Sequence, residues 1–114
     1  MNFNQGDIIK FNFDPTLGHE QEGYRPAVVI SRKMFHEKTG QLIVCPITNR
    51  SRPYPTRVPL CGENETRGFV ICDHIKTIDA AARKPVYVER ISENALDKVL
   101  AIVCSEIAKD SKFI

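Results

Sequence analysis

The sequence predicts a mostly β fold, a small antiparallel sheet curling into a barrel with one C-terminal α-helix over part of its surface. Three observations lead there. Five to seven short apolar, β-rich runs recur up to Arg90, each bounded by turn-forming residues. Seven prolines and six glycines spread along the chain keep those runs short. Beyond Ser92 the apolar period then changes from two residues to that of a helix.

The first run is Ile8 to Phe13, after Gly6-Asp7, with Ile9, Phe11 and Phe13 on one face and Lys10 and Asn12 on the other. That alternation predicts a half-buried strand. A polar loop from Asp14 to Tyr24 follows, in which Gly18 and Gly23 give access to positive φ. Pro26 pushes Arg25 out of the α region, so Arg25 begins the next strand. Its Ala-Val-Val-Ile run is apolar on both faces, as in a central strand.

Arg32 to Gly40 predicts one helical turn or an irregular connection ending at Thr39-Gly40. Leu42 to Ile47 is a third strand delivering Thr48, Asn49 and Arg50 at its exit, and Pro46 suggests an edge or a bulge there. Ser51 to Pro59, with three prolines, runs extended. Val58 to Leu60, Phe69 to Cys72, Ile75 to Ile78 and Val86 to Val88 are further short strands, with a polar turn from Gly62 to Gly68 and a connector from Ala80 to Lys84. Leu96, Val99, Leu100, Val103 and Ile107 then form the stripe of an amphipathic helix, capped by Ser92, with Glu93 at its positive end and Lys109 at its negative end.

The 114 residues fit a single domain, 1–114, able to bury roughly two thirds of the unfolded surface. A net charge of +2 does not diagnose nucleic-acid binding; only its distribution could. Cys45, Cys61, Cys72 and Cys104 show no C-x-x-C spacing, so reduced thiols rather than zinc or disulfides are expected. With no signal-peptide pattern and no apolar run of bilayer length, a cytoplasmic protein without membrane contact is expected.

On the residues alone, Arg25 is a well-placed charge and Thr48 a turn hydroxyl. Arg50, Arg52 and Arg57 surround Tyr54 with no acid between them, which suits a single nucleic-acid strand but also an ordinary solvated loop. His19 and His36 have the exposed-loop setting in which histidines are usually inert.

Three ordered blocks resemble a known family. Gly6-Asp7-Ile8-Ile9, Phe13-Asp14-Pro15-Thr16, Gly18, Glu20-Gln21 and Gly23-Tyr24-Arg25-Pro26-Ala27-Val28-Val29-Ile30-Ser31 form the first. Pro46-Ile47-Thr48 with Tyr54-Pro55 forms the second, and Asp73 with Ile75-Lys76-Thr77-Ile78-Asp79 the third. In order and spacing they are similar to the MazF/PemK toxins of type II toxin-antitoxin systems. The resemblance implies an SH3-like barrel, a homodimer, metal- and cofactor-independent cleavage of single-stranded RNA, and inhibition by an acidic, MazE-like antitoxin.

It also implies site residues. Arg25 would grip the scissile phosphate and Thr48 would hold its geometry, both catalytic. Thr16, Glu20, Gln21, Asn49, Arg50, Arg52, Tyr54 and His74 would contact RNA. His74 departs from the family pattern, which has glutamine there. The alternatives are a CcdB-like gyrase poison on the same barrel and an idle module that binds RNA or antitoxin.

Overall fold

The computed structural model describes residues 2–13 and 23–110. Thr16, Glu20 and Gln21, expected at the site, lie outside the described residues, as does His19. The elements are β1 (Asp7–Asn12), β2 (Tyr24–Val29), α1 (Lys33–Thr39), β3 (Gln41–Thr48), β4 (Arg57–Leu60), β5 (Gly68–Ile71), β6 (Lys76–Asp79), α2 (Ala80–Arg83), β7 (Val86–Arg90) and α3 (Glu93–Ile107). The strands form one curled antiparallel sheet in the order β4-β5-β3-β2-β1-β7, with β6 also pairing β3.

The sheet is apolar on both faces because alternate residues of the central strands enter different cores. Ile8, Val28, Cys45, Ile47, Val58 and Val70 pack with Leu96, Val99 and Val103 of α3. Ile9, Phe11, Ala27, Val29, Leu42 and Val44 pack with Ile78 on the other side. The expected alternation along β1 holds for Phe11 and Lys10, but Ile8 is also buried because α3 covers its face. Each fully buried Val or Ile contributes about 1.5–3 kcal/mol, so these two layers hold the sheet in its curl.

Two elements differ from expectation. Arg32 to Gly40 contains a seven-residue helix, α1, with none of its residues buried, which ends where Gly40 takes φ 73°. Pro46 does not lie on an edge, since it pairs with Ala27 of β2. On its other side β3 pairs β6 through Val44 and β5 from Ile47, and Pro46, lacking an N–H, falls in the gap between them.

Ser92 caps α3 by accepting from the Ala95 N–H at 3.3 Å. Leu96, Val99 and Val103 are buried, but Ile107 is 73% exposed because the helix runs past the sheet. Lys109 lies beyond the C-cap residue Ala108. Among the described residues, no helix is long and apolar enough to cross a membrane.

Candidate active site

The β2–β3 ladder runs through Val29↔Val44, Val28↔Cys45 and Ala27↔Pro46. Pro46 and the neighbouring Pro26 have no N–H to continue it, and the strands part. Two residues further along each strand come Arg25 and Thr48, which both line the mouth so formed. Three adjoining depressions open at this mouth, with volumes of roughly 250, 450 and 510 Å³, and Arg25 lines all three. Thr48 and Arg50 line the first two.

Thr48 is fixed from several directions. It pairs with Phe69 of β5, and its Oγ1 accepts from the Arg50 N–H at 3.1 Å, closing a turn through Asn49. Gly68, at φ 120°, lies so close beneath that a Cβ there would stand 2.7 Å from the Thr48 carbonyl carbon and 2.9 Å from the Asn49 nitrogen. Asn49, Arg50 and Arg67 complete the first depression, and the Arg67 Nη1 donates to the Asn64 carbonyl at 3.1 Å.

The second depression is walled by Arg52, Arg57 and His74. Past the end of β5 the Cys72 N–H donates to the Thr56 carbonyl at 3.0 Å and the His74 N–H to the Ile71 carbonyl at 3.2 Å, mounting a tight turn. Asp73 on that turn accepts from Thr56 Oγ1 at 2.8 Å and lies 3.5 Å from the Arg57 Nη2 and 3.8 Å from the His74 Nε2. Partial burial alone would raise the Asp73 carboxyl. The Thr56 hydrogen bond, a backbone hydrogen bond and the nearby Arg57 and His74 outweigh it, so the carboxyl sits below its ordinary value. The Arg57 guanidinium also lies over the Tyr54 ring at 5.2 Å.

The third depression has an apolar floor of Phe13, Pro46 and Ile75, with Arg25, His74 and Lys76 as its polar lining. The described residues lining the three depressions include Arg25, Arg50, Arg52, Arg57, Arg67 and Lys76 but no carboxylate. A chain of net charge +2 thus gathers six cations around one concave surface, which favours an anionic polymer.

Of the expected residues, the structure brings together Arg25, Thr48, Asn49, Arg50, Arg52 and His74. Tyr54 is 60% exposed beside Arg57, adjacent to the depressions rather than in their lining. Arg67, Gly68 and Lys76 were missed as site residues, because only the pairing of β5 and β6 with β3 carries them here. His36 is half-buried against Phe3, with ring centroids 6.0 Å apart, rather than free in a loop.

Cys45 and Cys72 are buried, and burial first, then neighbouring negative groups, push their thiols up to about 12 and about 11, so neither supplies a thiolate. Cys61 and Cys104 are exposed. Among the described residues, no group of three or more His, Cys, Asp or Glu could hold a metal ion.

Residues 4–107 match the family described as PemK-like, MazF-like toxin of type II toxin-antitoxin system. The endoribonuclease toxin MazF of Escherichia coli K12 is 46% identical over 78 residues, 68% of this chain and 69% of its own length. A crystal structure of MazF from Deinococcus radiodurans superposes with a TM-score of 0.83 at 30% identity, covering 96% of this chain and 99% of that one. A MazE–MazF crystal structure from the same organism gives 0.84 at 27% identity, covering 96% of this chain and 100% of that one.

Proposed function

Because this chain belongs to the family of PemK-like, MazF-like toxins of type II toxin-antitoxin systems, we propose that the mouth between Arg25 and Thr48 is where it cuts RNA. It is an endoribonuclease, the toxin component of such a system. One observation supports the location most: the three depressions that share Arg25 are lined by six cations and, among the described residues, no carboxylate.

The reaction is attack of the RNA's own 2′-OH on the adjacent phosphorus, giving a 2′,3′-cyclic phosphate and a 5′-OH, and it needs no metal. Arg25 grips two phosphate oxygens and stabilises the charge that builds up on them. The Thr48 hydroxyl orients the same phosphate. Asn49, Arg50 and Arg52 follow the backbone of a single strand, Tyr54 offers an aromatic face beside them, and His74 reaches the nucleotide next to the cut. Thr16, Glu20 and Gln21 orient the strand from the 14–22 segment, which makes base choice a property of that loop.

Its substrate is mRNA, cut at a short motif in the cytoplasm. The chain 1–114 acts as one toxin unit and pairs as a homodimer. An acidic, MazE-like antitoxin competes with RNA for the same cations, a reading supported by the MazE–MazF structure of the relative. The test incubates purified protein with long single-stranded RNA in EDTA and maps the ends. Fragments with 5′-OH ends are expected, and Arg25→Ala lowers the rate on the order of 10²–10³-fold with the fold intact. Intact RNA together with inhibited gyrase supercoiling would assign the barrel to the gyrase poisons instead.

A further inference from the structure

Resting on the ribonuclease reading above, we propose that His74 is the general acid that protonates the departing 5′-oxygen. When the 2′-O–P bond forms, the P–O5′ bond breaks and its electron pair goes to O5′, which needs a proton to leave as a hydroxyl. An arginine, with a pKa above about 12, and a threonine hydroxyl are weak proton donors for it. Of the described side chains lining the depressions, imidazole is the type that gains and loses protons near neutrality.

The position of His74 fits the task. It lines the second and third depressions, and both are shared with Arg25 and Pro46, so His74 borders the space in which Arg25 would hold a phosphate. Its backbone is held by the bond to the Ile71 carbonyl, while its side chain is 65% exposed and open to substrate. Asp73 acts as a positioning residue, since its Oδ2 lies 3.8 Å from the ring's Nε2.

Other charges face the same space. They are Arg25 on β2, Arg50 and Arg52 after β3, Arg57 on β4 and Lys76 on β6, with Asp73 beside the ring. A phosphate seated on Arg25 brings negative charge into that space when RNA is bound. In the balanced step the imidazolium N–H proton passes to O5′ and the 2′-OH proton passes to a solvent water. The imidazole then regains a proton from solvent.

The experiment compares His74→Gln with the unsubstituted protein on two RNAs of one sequence, one ordinary and one with sulfur replacing the scissile 5′-oxygen. A thiolate leaves without a proton. His74→Gln is expected to cut ordinary RNA 10²–10⁴-fold more slowly. It should also lose the fall in rate with rising pH, yet cut the sulfur-linked RNA at nearly the unsubstituted rate. Arg25→Ala stays slow on both. An unchanged rate and pH profile on ordinary RNA, or an equal loss on both linkages as a base-reading contact would give, overturns the assignment. If the unsubstituted protein cuts neither RNA, the ribonuclease reading itself fails and takes the proton donor with it.

Discussion

At its first residue β5 meets the site through a contact that only glycine allows, whereas just past its last residue it presents a turn held by charge. Upstream of Gly68, the Glu89 carboxylate accepts from the Thr66 N–H and Oγ1, both at 2.7 Å, and from the Glu65 N–H and Asn64 Nδ2, both at 3.2 Å. Downstream, Asp73 takes one hydroxyl bond at 2.8 Å and faces the Arg57 guanidinium at 3.5 Å and the His74 ring at 3.8 Å. A carboxylate surrounded by neutral donors from one loop has its acceptor capacity taken up and fixes that loop. One that faces cations at longer range leaves them free to respond to an incoming anion. The first end sets geometry, and the second sets charge.

The comparison is tested most severely by Gly68→Ala. The φ of 120° and the approach to the Thr48 and Asn49 backbone leave no room for a Cβ. Backbone strain of this kind costs about 1–3 kcal/mol, and the remainder appears as displacement of Thr48. Denaturant melts should show a loss of about 2 kcal/mol, and RNA cleavage should fall in kcat more than in KM. A variant with parental stability and kcat would mean that this contact does not set the site.

Gly68 also marks the limit of what the sequence discloses. The strands, Ser92 as a cap and the α3 stripe could be read because local period and turn chemistry encode them, and Arg25 was singled out by Pro26 beside it. The helix α1 was hard to read because none of its residues is buried, so little apolar period marks it. Of the two readings of Pro46, an edge or a bulge, the edge fails because a central strand with a gap in one ladder looks the same in sequence. Arg67 and Lys76 reach the site through pairing between distant segments, which leaves no local signal. Gly68 looked like one more turn glycine until β5 was laid against Thr48.

Glu89→Gln breaks the same end of β5 more gently. Burial would raise the Glu89 carboxyl, but the hydrogen bonds from Thr66, Asn64 and Glu65 bring it down to about 2. Because the folded value is depressed, the stabilisation is full above the ordinary value of 4.5 and is lost as pH falls toward about 2. Charged hydrogen bonds contribute about 1.5–3 kcal/mol, and partial exposure reduces this to about 1 kcal/mol. Glu89→Gln should therefore be about 1 kcal/mol less stable at neutral pH and converge with the parent as acid is added, while RNA cleavage stays within about twofold. A cleavage loss larger than the stability loss would make this end of β5 more than a mount.

Asp73→Asn examines the other end and should disturb stability least. The amide oxygen still accepts from Thr56 Oγ1, and what disappears is the attraction for Arg57 and His74. Asp73 is 37% exposed, and surface pairs of this kind are worth about 0–1 kcal/mol, so the melt should shift by a few tenths at most. The effect belongs in the rate profile. With the negative charge gone, the His74 ring loses its carboxylate neighbour at 3.8 Å, and the pH profile of cleavage should change. Glu89→Gln would change stability against pH and leave the rate profile alone, whereas Asp73→Asn would do the reverse. If Asp73→Asn instead lowers stability by 1 kcal/mol or more and leaves the rate profile where it was, both carboxylates are structural and the proposed division between the two ends of β5 is wrong.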